Sequence, residues 1–180
     1  MPNLSNQNSS GNGNSREEGT SDPTWIVATI ERLRAEHDAT SSQAAKAILL
    51  HEIGLLEELS GDEAGAARDQ LQAVNADSTF REPLERLITI IERRKSFKNL
   101  GRLLDRLLKI SERPGERARA LLDNAAFFHD HGEDLDAARQ ALLEATELTP
   151  EDPSLWLALE YVAWALEDLD LVIDALARRA

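Results

Sequence analysis

A chain of 180 residues is long enough for one domain with a buried core. Its 33 acidic against 20 basic residues, a net charge of −13, argue against a partner gripped by its phosphates, whether nucleic acid or anionic membrane. The absence of cysteine excludes a disulfide framework, a thiolate nucleophile and a Cys-ligated metal, and aromatics at 4 % leave the core to Leu, Ile, Val and Ala, a set that favours helices.

Residues 1–21 are Asn, Ser and Gly with little to bury, and are expected to form a disordered tail. No basic and apolar signal segment and no stretch long enough to span a membrane is visible, so the expected location is cytoplasmic. Order is expected to begin at Asp22-Pro23, an N-cap followed by a proline at the first helical position. Ile26, Ile30 and Leu33 then form one stripe of an additional helix over 22–37, with a linker to residue 40.

From 41 to 180 the pattern is helix, short turn, helix. Elements are expected near 41–59, 62–75, 80–94, 97–111, 116–131, 134–148, 153–166 and 168–180, with no strand. Thr40 with Gln43 and Ser60 with Glu63 have the spacing of capping boxes. Asp152-Pro153 repeats the Asp22-Pro23 signal, and Pro114-Gly115 falls in a connection longer than the others. Arginine far outnumbers lysine, which reads as genome composition and not as a binding device.

Residues 49–108 align on 121–180 at a constant offset of 72 without a gap. Leu49-Leu50 falls on Leu121-Leu122, Ala66 on Ala138, Ala73 on Ala145 and Leu87 on Leu159. Each unit divides again, because Gly61-Asp62-Glu63 and Lys95-Ser96-Phe97 stand 34 residues apart at equivalent turns. The first unit shows Leu50, Ile53, Gly54, Ala66, Gln70 and Ala73 in series. The third shows Leu122, Ala125, Ala126, Ala138, Leu142, Ala145 and Pro150.

Over about residues 41–180 this series resembles four degenerate tetratricopeptide repeats. The resemblance implies an all-α fold, a right-handed α-solenoid of helical hairpins; an ordinary antiparallel helical bundle is the alternative. The second and fourth units carry Ile88, Leu100, Glu160 and Val172 where the pattern has small residues, so their helix pairs are expected to splay.

Enzymatic chemistry finds little support. His129-Asp130-His131 with Glu133 and Asp134 has metal-ligand types, but residues two apart on a helix diverge by about 200°. Glu57-Glu58 and Glu17-Glu18 read as solvated neighbours, not a converging acid–base pair. Gly11-Asn12-Gly13 follows no strand and is no phosphate loop. No cofactor, metal or catalytic residue is assigned.

The resemblance instead places function on the concave wall formed by the first helix of each hairpin. Carried over, its residues are His51, Leu55, Glu58, Glu85, Thr89, Glu92, Arg93, Asp123, Phe127, Asp130, His131, Leu157, Tyr161 and Trp164. The Lys and Asn clamp that some relatives use for a peptide carboxylate is not visible. The expected role is a non-enzymatic scaffold or adaptor that binds a peptide or helix of an unidentified protein. The alternative is a self-association module, pairing through Leu169, Val172, Ile173 and Leu176 on a final helix that nothing further covers.

Overall fold

The computed structural model describes residues 24–132 and 134–179; the tail and the Asp22-Pro23 start fall outside them. Among the described residues there is no strand. The described residues form nine helices, α1 Thr24–Ala39, α2 Gln43–Leu59, α3 Glu63–Ala76, α4 Arg81–Arg93, α5 Leu100–Ile110, α6 Pro114–Phe127, α7 Leu135–Leu148, α8 Pro153–Ala165 and α9 Leu169–Arg179. A 3-10 turn, Phe97–Asn99, leads into α5, and a π turn, Phe128–Gly132, extends α6.

Extensive packing joins helices that are neighbours in sequence, and α1 meets α9 over no extensive surface. A closed bundle brings its first and last helices together; here they stay apart, and the fold is an α-solenoid. The core is correspondingly a string. Val74, Leu84, Ile88, Leu100, Leu104 and Leu107 bury one segment, and Leu121, Leu142, Leu155, Trp156, Leu159 and Val162 bury the next.

The turns inside the hairpins repeat in backbone detail. Gly61, Lys95 and Glu167, at the spacings of 34 and 72 read from the sequence, all have positive φ (89°, 53° and 59°). Each is followed by the same closing bond, Asp62 N–H to Glu57 O, Ser96 N–H to Ile91 O and Asp168 N–H to Ala163 O. This left-handed cap satisfies carbonyls left open at a helix end, and only Gly61 adopts it without Cβ strain. The third hairpin closes differently, with the π turn and a bond from Asp134 N–H to Phe128 O.

That cap also corrects the expected capping boxes. The left-handed residue at 61 ends α2 at Leu59, so Ser60 lies past its end and cannot cap α3. The caps are Ser42, accepting from Ala45 N–H, and Asp62, accepting from Gly65 N–H. Asp134 caps α7 in the same way, accepting from Ala137 N–H, and Asp152 caps α8 by accepting from Ser154 N–H. The longer connection at Pro114-Gly115 is likewise absent. Pro114 is the first residue of α6, where its fixed φ fits and its missing N–H has no partner to lose.

Small residues set the close crossings. Ala66, Ala73, Ala138 and Ala145 are fully buried where α2 meets α3 and α6 meets α7. With Ile88 and Leu100 between them, α4 and α5 touch least of the four hairpins, as expected. The fourth hairpin, α8 with α9, stays closely packed against expectation, because Val172 is compact enough to be buried beside Ala163 and Ala175. Ala138→Leu is therefore expected to overpack the third hairpin and cost about 1–3 kcal/mol in urea unfolding. A neutral result would contradict the repeat phase.

Candidate functional site

The inner wall carries one continuous groove. Its first stretch is an open cleft of about 240 Å³ between α4 and α6, lined by Glu85, Ile88, Thr89, Glu92, Arg119 and Asp123. Glu92 and Asp123 also line the next, smaller cleft, with Phe97, Phe127, Asp130 and His131. Ala126 and Asp130 connect that cleft to an apolar one of about 230 Å³ between α6 and α8, formed by Leu122, Ala125, Leu142, Ala158, Tyr161 and Val162. The groove thus runs from an acidic end to an apolar end. Leu157, Tyr161 and Trp164 are each at least half exposed and share one face of α8 at i, i+4 and i+7.

The electrostatics of the acidic end follow from partial burial. Desolvation pushes the Asp123 carboxyl above the ordinary range; Arg119, at 3.3 Å, opposes this and Glu85 adds to it. Desolvation likewise raises Glu92, with further repulsion from Asp123 and partial relief from Arg119 and His131. Carboxylates that resist ionisation gain most from a cation brought between them.

Not every residue carried over is free to bind. His51 is tied to Gln70, its Nδ1 2.8 Å from Gln70 Oε1, and sets its ring edge against Phe80. Glu58 accepts from Arg86 at 2.6 Å and from Arg93 at 2.7 Å, which staples the first hairpin to the second. Partial burial works against its ionisation, but the hydrogen bonds from Arg93 and Arg86 outweigh that and hold it below the ordinary range. Phe127 lies over Gly101, where a Cβ would come within 2.9 Å of its ring, so it is wall. His131 stacks on Phe97 at 3.9 Å between ring centres, while His129 leans on Tyr161. The two histidines therefore serve different neighbours, and among the described residues no His, Asp or Glu group is arranged to hold a metal.

Two features lay outside the sequence reading. Glu57, read there as solvated, is buried together with Asp69, and Arg34 of α1 reaches both with Nη2 at 2.7 Å. Adjacent helical residues point about 100° apart, so Glu58 faces α4 while Glu57 faces α3. The second is a basic run: residues 93–109 hold seven bases and one acid, of which Arg94, Lys95 and Arg102 line clefts separate from the groove. Counting charge in windows would have found it; the net charge conceals it.

At the C-terminus, Leu169 and Ile173 are largely exposed and Leu176 is partly so. Val172, expected on the same face, is only 3 % exposed and packs into its own hairpin, where it cannot contact a second chain.

No family model matches the chain, and no curated protein matches it either. Solved structures do share its fold. A structure of MamA superposes with a TM-score of 0.67 at 14 % identity, covering 86 % of each chain. A segment of MamA from Desulfovibrio magneticus RS-1 gives 0.60 at 15 % identity over 87 % of this chain and 92 % of that one. PilF of Pseudomonas aeruginosa gives 0.63 at 13 % identity over 87 % and 72 %. These neighbours contain tetratricopeptide repeats, and the present chain has the same kind of helical-repeat fold. Among the described residues no helix is long and apolar enough to cross a membrane.

Proposed function

We propose that the chain is a protein-interaction scaffold whose groove along α4, α6 and α8 holds a basic, amphipathic peptide or helix. The observation that supports this is the continuity of the groove, from Glu85, Glu92 and Asp123 to the apolar cleft beside Tyr161. An apolar anchor would enter between α6 and α8, while Lys or Arg side chains one to two turns away would meet the carboxylates. Tyr161 and Trp164 supply contact area with few rotatable bonds, as binding hot spots do. No chemical step is involved; binding rests on a groove already formed in the free protein. Repeat number, membership of the tetratricopeptide family and a cytoplasmic location are part of the same proposal.

A peptide-display screen with the full chain as bait tests it. Enriched sequences are expected to combine at least two Lys or Arg with a Leu or aromatic anchor. Tyr161→Ala is expected to weaken the enriched peptide about tenfold, and Asp123→Asn to weaken it and flatten its salt dependence. Because Asp123 and Glu92 protonate above the ordinary carboxylate range, affinity should fall on acidification earlier than for exposed acids. Enrichment of acidic sequences, or of binders indifferent to Tyr161 and Asp123, would overturn the reading.

A further inference from the structure

The outer wall carries a surface of opposite character. Between α3, α4 and α5 lies an apolar trough floored by Leu71, Leu87, Ile91 and Leu103, and Leu71 remains 44 % exposed. Two adjoining cavities of about 510 and 470 Å³ share Ala67 and Ile91, so the trough is continuous. It exists because α4 and α5 diverge around Ile88 and Leu100.

Its rim is cationic. Arg68, Arg94, Lys95 and Arg102 line it, in a chain whose net charge is −13. Arg68 is partly neutralised by Asp69 and Glu57 at 3.5 and 3.8 Å. Arg94, Lys95 and Arg102 form no ion pair among the described residues. An apolar floor inside a rim with three unpaired bases fits an amphipathic helix with acidic flanks.

This chain contains such a helix. On α9, Leu169, Ile173 and Leu176 stand at i, i+4 and i+7 on the exposed face, with Asp170 and Asp174 beside them. Residues 165–179 carry four acids and two bases; Arg178 takes Asp174 at 3.3 Å and Arg179 takes Glu160 at 3.1 Å, which leaves Glu167 and Asp170 without an ion pair among the described residues. Val172 and Ala175 hold the adjoining face on α8, so the exposed stripe can leave water without disturbing the hairpin.

We infer that α9 of one copy docks into the α3–α5 trough of a second copy. Donor and acceptor consist of different residues, so one copy can use both at once. The contact is therefore head-to-tail and builds chains or rings instead of stopping at a two-fold dimer. It lies apart from the groove and does not depend on groove binding.

Analytical ultracentrifugation of the full chain over a hundredfold concentration range tests this. Mass is expected to rise past the dimer and to fall with added salt. Ile173→Glu, Asp170→Arg and Arg102→Glu should each weaken association about tenfold or more while circular dichroism stays unchanged. Asp170→Arg in one copy mixed with Arg102→Glu in another should restore association, which loss of folding could not produce. Tyr161→Ala should leave it unaffected. A strictly monomeric chain overturns the inference. So does a mass that stops at the dimer and responds to α9 substitutions but not to Arg102→Glu. Binding of phosphatidylserine vesicles that Arg102→Glu abolishes, without self-association, would assign the trough to a lipid surface and overturn it as well.

Discussion

Arg34→Met is expected to destabilise the fold by about 3 kcal/mol, a loss read directly from the urea midpoint. Arg34 bridges two buried carboxylates, Glu57 and Asp69, both at 2.7 Å. Removing one member of a buried ion cluster costs about 3–5 kcal/mol, because the remaining charges stay dry and unpaired. The Arg34 side chain is 42 % exposed, so solvent screening moves the expectation to the lower end of that range. Burial and the neighbouring Asp69 already push Glu57 up, and Arg34 offsets part of this. A raised carboxyl favours the fold when protonated. Its contribution is complete below the ordinary 4.5 and is lost as pH rises through the folded value. Without Arg34 that folded value rises further, so Arg34→Met should be most harmful at neutral pH and milder in acid. Adding Glu57→Gln should recover most of the loss by removing one of the two stranded charges. A change within about 0.5 kcal/mol for Arg34→Met would show that α1 is held by its apolar face alone.

Gly54→Leu is expected to cost a similar amount, about 3 kcal/mol, at the closest crossing of α2 and α3. A Cβ at Gly54 would lie 2.6 Å from Gln70 Nε2 and 3.3 Å from the Ala66 carbonyl oxygen. The Gln70 amide is fully buried and donates to His51 O while accepting from the His51 ring, so it cannot swing aside without losing both bonds. Helix propensity runs the other way, by about 1 kcal/mol for replacing glycine. Loss of a buried hydrogen bond at about 1–3 kcal/mol plus overpacking at about 1–3 outweighs that gain. Gly54→Ala separates the two effects, since it adds the Cβ without the rest of the side chain and should cost less. Thermal unfolding of the pair is the check, and a stabilised Gly54→Leu would mean that the helices are not in close contact there.

The repeat was legible because it lies in side-chain size and turn position, both local properties. Gly61, Lys95 and Glu167 mark equivalent turns at the spacings the alignment gives, and buried Ala66 and Ala138 follow from the same alignment. Val172 was legible too. It aligns with Ala138 and Leu100 at the buried crossing, so its place inside the hairpin was implied even while it was read as exposed.

The ionic cluster was not legible. Glu57 on α2 and Asp69 on α3 become a buried pair only when α1 folds back and brings Arg34 between them, 23 and 35 residues away in sequence. The groove was half legible. The resemblance placed Glu85, Glu92, Asp123 and Tyr161 on one wall, but it could not show that Arg86 and Arg93 take Glu58 or that Gln70 takes His51. Those partners stand on neighbouring helices, where periodicity gives no information.

Amide hydrogen exchange of the full chain, with and without a peptide enriched in the display screen, tests the scaffold reading most directly. Added protection is expected on the inner helices α6 and α8, extending to α4, with α3 and α5 unchanged. Protection confined to α3 and α5, or spread evenly over the chain, would contradict it.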